Sequence, residues 1–255
     1  SVLVIKIVPI LCDVTLAYMA YRAARETLGR TTACLLGALL AFNPVFLVNS
    51  AAWGQIDSVF TALLLVSMLE AVRGRWFVSL PVYALSALIK PQALMLAPLG
   101  LVFVIVEIVE SEDHLRALGR FLLAILASLA LMVALSLPFM LGLPESLLPE
   151  TASATAFGYR LTLTLPEGLR PLFWLGSQYL NTASSYAHLT VNACNLYTLL
   201  NMNWVATAQA PATTVFAWIM MALSFAYAVF LYVRAKDRGK LFLVSALLVT
   251  LLYAF

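Results

Sequence analysis

Apolar runs near spanning length recur along almost the whole chain, and they decide what this sequence can fold into. A helix needs about 20 mainly apolar residues to cross the hydrocarbon core of a bilayer. Runs of roughly that kind occupy residues 2–21, 31–49, 56–72, 76–89, 93–109, 119–141, 211–233 and 241–255. The fourth is short for a full crossing. Of the 255 residues 63% are hydrophobic and 11% are charged, with a mean hydropathy of +0.97. A soluble domain carries about 25% charged residues, so polar groups here are too few to cover a water-facing surface. The expected fold class is therefore an all-α integral membrane protein, a polytopic bundle with about eight spanning helices. Residues 1–255 read as a single transmembrane domain. The chain opens at Ser1 and stops at Phe255 inside apolar runs, which reads as an internal piece incomplete at both ends.

Charge placement tests that span list. Arg22, Arg25 and Arg30 fall in one loop, Arg73 and Arg75 in a second, Arg116 and Arg120 flank a third, and Arg234, Lys236, Arg238 and Lys240 fill a fourth. Strict alternation puts all four loops on one side, which the positive-inside rule makes cytoplasmic. The opposite, non-cytoplasmic side then receives the 43–58 turn, the Lys90 turn and the long 142–210 segment. Four prolines interrupt that segment, and short interfacial or re-entrant helices are expected near 171–180 and 191–200. The net charge of +3 is scattered and excludes a nucleic-acid surface. Cys12, Cys34 and Cys194 stand far apart, with neither a disulfide framework nor metal-ligand spacing, so no metal is expected.

Three polar constellations share the non-cytoplasmic side. Asn43-Pro44 precedes Trp53-Gly54-Gln55-Ile56-Asp57-Ser58. Pro44 ends or kinks a helix, and Gly54 permits close backbone approach. Asp57 is either a site carboxylate or an N-cap of the next helix, and Trp53 either a site residue or an interfacial belt aromatic. The second constellation is Ile89-Lys90-Pro91-Gln92, after the short span. An ammonium held at depth needs a counter-charge, which a phosphate, Asp57 or Asp13 would supply. A snorkelling lysine is the plainer alternative. The third is Tyr186 to Tyr197 with Asn201, Asn203 and Trp204. Asn192 and Asn195 would share a helical face, and His188 reads as a local hydrogen-bonding residue. Asp13, mid-span, pairs with Lys6 two turns away or contacts a ligand.

In their order and spacing, Asn43-Pro44 with Trp53-Gly54-Gln55-Ile56-Asp57-Ser58, then Lys90-Pro91-Gln92, then Thr190-Val191-Asn192-Ala193-Cys194-Asn195-Leu196 resemble the GT-C glycosyltransferases. The nearest branch is the bacterial and archaeal mannosyltransferases related to the second mannosyltransferase of glycosylphosphatidylinositol synthesis. The resemblance runs from about Lys6 to Asn203. It implies an enzyme that moves a sugar, mannose, from a polyprenyl- or dolichyl-phosphate carrier to a lipid, glycan or protein acceptor, with inversion. The setting would be the non-cytoplasmic face of a bacterial or archaeal plasma membrane, or the endoplasmic reticulum in a eukaryote. It implies Asp57 as the catalytic candidate within this sequence, or as a donor-binding support to a main base outside it, with Trp53, Gln55, Lys90, Gln92, Asp13, Asn192, Asn195 and Trp204 binding donor or acceptor. Partners would be membrane lipid, the lipid-linked sugar and the acceptor. The family's usual carboxylate lies in a first external loop, which would stand before Ser1, and its His-Glu-Arg or His-Glu-Lys signature is not found before Phe255. A secondary transporter and a non-catalytic carrier-binding subunit are the alternative classes.

Overall fold

The computed structural model describes residues 2–156, 159–184, 187–191, 193, 195–235 and 237–254. The chain divides into two compact units, Ser1–Leu94 and Met95–Phe255.

In the first unit, α1 (Val2–Leu28) runs seven residues past its apolar stretch. Arg22-Ala23-Ala24-Arg25-Glu26-Thr27-Leu28 is rich in good helix formers, so the expected loop is helical instead. Only Gly29, at φ +80°, separates α1 from α2 (Arg30–Ala41). A Cβ placed on Gly37 would lie 3.1 Å from the Tyr21 Cβ, so a small residue sets how closely these helices meet. Pro44 acts as expected. It ends α2 and occupies the first position of a short helix, α3 (Pro44–Phe46), where the Asn43 side chain accepts from the Val45 N–H at 2.9 Å. The run continues as a π-helical turn, Leu47–Ala52.

Next come α4 (Asp57–Val72) and α5 (Trp76–Ile89). Hydroxyls join them: Ser67 donates to the Ser79 carbonyl at 2.8 Å and Ser86 to the Phe60 carbonyl at 3.0 Å. Buried Ala84 and Ala87 bring α5 close. Glu70 accepts from Arg73 at 2.7 Å and from Arg75 at 3.3 Å across the α4–α5 junction. α1 also packs on α4, with Asp13 bonded to Ser58 near the start of α4. Within this unit, Arg22, Arg25, Arg30, Arg73 and Arg75 thus belong to helix ends opposite the start of α4.

The second unit takes over within the 3₁₀ turn Pro91–Leu96 and continues with α6 (Ala97–Val109) and α7 (His114–Met140), which Asp113 caps by accepting from the Arg116 N–H at 2.9 Å. A hairpin of β1 (Thr151–Ala156) and β2 (Tyr159–Thr164) follows, with Thr151 opposite Thr164 and Ala156 opposite Tyr159. Helix α8 (Arg170–Ser184) and the single turn α9 (Leu196–Leu199) follow, then α10 (Pro211–Ala235) and α11 (Lys240–Ala254). α10 packs on α6 and α11, with the Phe103 and Tyr232 rings 5.6 Å apart. An Arg238–Glu107 ion pair ties the α10–α11 turn to α6. The two expected short helices appear as α8 and α9. The hairpin was not expected, although Leu161-Thr162-Leu163-Thr164 alternates with period two and threonine favours strands.

Each of the eight expected spans is mainly helical among the described residues, the second being broken at Phe42-Asn43. Among the described residues five helical runs are long and apolar enough to cross a membrane: Ile5–Leu28, Arg30–Ala52, Pro91–Val109, His114–Met140 and Pro211–Ala235. Helices α4, α5 and α11, with 16, 14 and 15 residues, fall short of that length. Polar turns bound α4 and α5 at both ends. Leu39, Phe139 and Trp218 are 65% or more exposed on their helices, which calls for lipid as the solvent. The protein is a multi-pass integral membrane protein.

Candidate active site

Polar side chains far apart in sequence meet in the first unit, where α1, the π turn, α4 and the end of α5 converge. Pro91 explains how Lys90 gets there. The residue before a proline is forced out of the helical region, so α5 stops at Ile89 and Lys90 is extended at φ −145°, ψ 113°. Its ammonium forms an ion pair with Asp57 Oδ1 and lies 5.3 Å from the centre of the Phe60 ring. Asn49, on the π turn, donates from Nδ2 to Asp57 Oδ2 at 3.1 Å. The Asp57 and Lys90 side chains remain 39% and 25% exposed, so the pair is reachable from outside the protein.

Asp57 is therefore not an N-cap. Ile56 holds that position without any side-chain capping bond, and Asp57 opens the first turn of α4. There a carboxylate also meets the positive end of the helix. The counter-charge question is answered as well: Lys90 takes Asp57, not Asp13. A plain snorkelling lysine does not describe it.

Behind this pair lies a buried layer. The Ser58 hydroxyl donates to Asp13 Oδ1, and the Ser50 and Ser58 hydroxyls stand 3.0 Å apart. Asp13 is 8% exposed and faces inward. Lys6 does not pair with Asp13. Its ammonium donates to the Ala51 and Ala52 carbonyls, each at 2.8 Å. The geometry that sequence spacing allows for Lys6 and Asp13 is present, but each residue takes a different partner.

Trp53 and Gln55 project on the loop between the π turn and α4. Trp53 is 75% exposed, Gln55 is exposed, and its N–H donates to the Asn49 carbonyl at 2.9 Å. Gln92 is exposed on the 3₁₀ turn two residues beyond Lys90. Pro44, Val45, Val48, Asn49 and Trp53 line an apolar groove of about 330 Å³. Asn49 connects this groove to the ion pair. A second groove of about 670 Å³, between the hairpin and α8, is larger but has no ionisable residue in its wall. Size alone would choose the second groove; chemistry chooses the first.

The third constellation behaves differently. Asn195 caps α9 by accepting from the Thr198 N–H at 3.2 Å. Trp204 N–H donates to the Thr190 carbonyl at 3.0 Å, and Leu189 N–H to the Val205 carbonyl at 2.9 Å. The Trp204 ring is 56% exposed and meets His188 edge-on at 5.6 Å. Its φ of +66° is rare for a bulky residue. Asn192 lies outside the described residues, as do Tyr186 and Cys194.

Residues 1–137 match the family model described as dolichyl-phosphate-mannose-protein mannosyltransferase. That is more than half of the chain, and it contains every residue of the Asp57–Lys90 cluster. The chain belongs to this family. It is a membrane glycosyltransferase of the GT-C type, which takes the place of the transporter and carrier-subunit alternatives. The sequence resemblance pointed to the glycosylphosphatidylinositol branch, and the matching model is that of the protein mannosyltransferases. No curated protein and no solved structure matches the chain. Enzymes of this family draw on a dolichyl-phosphate-sugar donor. In this glycosyltransferase, Asn195 and Trp204 lie beyond the matched segment and Lys90 within it. Sequence reasoning missed Asn49 and Ser50, and it named Ser58 in the motif without foreseeing its bond to Asp13. Asn49 had a signal, being eight residues before Asp57 next to a proline-broken helix, but apolar counting placed it at the end of a span.

Proposed function

We propose that this glycosyltransferase moves mannose from a polyprenyl-phosphate carrier to a hydroxyl acceptor on the non-cytoplasmic side, by one displacement with inversion at the sugar carbon. The acceptor oxygen bonds to C1 as the C1–O bond to phosphate breaks. The acceptor proton passes to a carboxylate, and the carrier leaves as a phosphate monoester with one more negative charge than the donor carried. Lys90 is the group that meets this charge. A preplaced cation in a water-poor site stabilises a developing anion without reorganising. Asp57 holds Lys90 until the carrier phosphate competes for the ammonium, and is then the nearest carboxylate to accept the proton. Trp53, Gln55 and Gln92, exposed around the pair, serve sugar and phosphate contacts, and Asp13 acts from behind through Ser58. The groove beside Asn49 gives the carrier's hydrocarbon an apolar seat. Asn192 and Trp204 are assigned to the acceptor side, with Asn195 holding the neighbouring α9 turn as its cap, and a protein acceptor follows the family description. The arginine-rich helix ends lie away from the cluster in the first unit, which supports a non-cytoplasmic site.

One observation carries the reading: a reachable lysine–aspartate pair, fixed by a proline and a π turn, inside the segment that matches the family. The test is binding and turnover of polyprenyl-phosphate mannose by the full chain and by Lys90→Met in lipid nanodiscs. The reading expects donor affinity and turnover to collapse together. Wild-type values in the variant would remove Lys90 from the phosphate and the proposal with it.

A further inference from the structure

Lys6 is a charged residue on a spanning helix, and such residues are costly unless they are satisfied. Its partners are unusual. They are the carbonyls of Ala51 and Ala52, at the end of the π turn, 45 and 46 residues along the chain. The last carbonyls of a helix lack intrahelical donors and carry its negative pole, so an ammonium there acts as a C-terminal cap supplied by another helix. The contact extends along the side chain. Gly54, at φ +73°, sits so close that an added Cβ would lie 3.4 Å from Lys6 Cγ and 3.6 Å from Cε. The lysine stem is packed against the backbone of the turn that leads into Asp57.

The same π turn carries Asn49, which donates to Asp57 Oδ2, and Ser50, which meets Ser58. Asp13, two helical turns from Lys6 on α1, accepts from Ser58. One face of α1 therefore fixes both sides of the Trp53–Asp57 loop: Lys6 holds its beginning and Asp13 its end. Neither needs to touch a substrate to do so.

We propose that Lys6 is a positioning residue of the transfer site, acting through the π turn and Asn49 on the placement of Asp57. The inference rests on the reading of Asp57 and Lys90 as the transfer site. Its expected signature is non-additivity. Residues that act through one another do not add in a double-mutant cycle, and a small misplacement of a reacting group costs up to about a hundredfold in rate.

Two measurements on the full chain in nanodiscs test it. In Lys6→Met, hydrogen exchange of the 49–57 amides accelerates while that of α5 is unchanged, and Lys6→Arg, which still donates to both carbonyls, restores protection. With polyprenyl-phosphate mannose as donor, Lys6→Met lowers kcat by about ten- to a hundredfold with little change in KM. Added to Asp57→Asn, it lowers kcat no further. Wild-type exchange in Lys6→Met overturns the proposal, and so does a Lys6→Met loss that multiplies that of Asp57→Asn. A rise in donor KM alone would make Lys6 a direct phosphate ligand and equally overturn it. Should Lys6→Met fail to fold, Lys6→Gln replaces it, with the same signs at smaller size, and wild-type behaviour there counts against the proposal. A wild-type chain that never turns over the donor sinks the transfer reading instead, and the exchange measurement still decides Lys6.

Discussion

The Asp57–Lys90 cluster and the 187–207 segment are alike in composition and differ in which groups their polar side chains join. Both combine amides, aromatics and a basic residue beside apolar helices. In the first, the bonds are long-range. Lys90 reaches Asp57 across 33 residues, and Ser58 reaches Asp13 across 45. In the second, side chains bond to backbone of the same segment: Asn195 accepts from the Thr198 N–H three residues ahead, and Thr207 donates to the Ala187 carbonyl at 3.2 Å. A loop that ties itself together uses its polar atoms for its own fold. A cluster assembled from four elements holds charges together that no single element would bring together. The difference tells a candidate site from a polar loop better than composition does.

Breaking the cluster should therefore cost activity, and breaking the loop should cost local stability. The largest effect is expected for Lys90→Met, a loss of about 10²- to 10³-fold in turnover of polyprenyl-phosphate mannose, the scale of removing one charge-stabilising donor. Asp57→Asn should lose about 10²-fold or more, the range for an acid–base group, with donor binding retained. An Asp57→Asn variant as active as the wild type would place the base elsewhere and leave Asp57 as a tether only.

Smaller losses sharpen the contrast. Asn49→Ala frees one oxygen of Asp57 and should cut turnover about tenfold, since one hydrogen bond to a charged group is worth roughly 1.5–3 kcal/mol at most. Gly54→Ala forces a Cβ into a left-handed position against the Lys6 stem and should destabilise the first unit by about 1–3 kcal/mol, read by thermal unfolding in nanodiscs. Asn195→Ala is the control from the other region. Loss of its cap should cost about 0.5–1 kcal/mol, seen as faster hydrogen exchange at 196–200, with turnover within twofold of wild type. A large loss of turnover without that exchange change would move Asn195 from cap to acceptor contact and erase the contrast.

How much of this was legible beforehand differs by element. α5 could be placed closely because Pro91 imposes its end through local sterics, and the break before α3 because Pro44 does the same. α1 could not. Its last two turns are polar, so apolar counting stopped at Tyr21 while helix propensity carried the backbone on to Leu28. The hairpin was missed because the threonine- and alanine-rich Thr151–Ala156 has too little apolar alternation to announce a strand away from its partner. In the site, Asp57, Lys90, Trp53 and Gln55 were visible as polar residues out of place in apolar surroundings. Asn49 and Ser50 were not, since each is ordinary at a helix end until its partner is known, and Ser58 was visible in the motif but not its bond to Asp13.

By itself the sequence determined that the chain lives in a bilayer and roughly where its helices run. It also determined which turns are basic and that Lys90 must leave its helix. These follow from solvent transfer and local sterics, which act residue by residue. Only the tertiary structure decided that Lys90 pairs with Asp57, that Asp13 turns to Ser58, and that Lys6 caps a π turn 45 residues away. Pairing energies depend on distances between elements, and spacing along one helix leaves several partners equally near until the helices are packed.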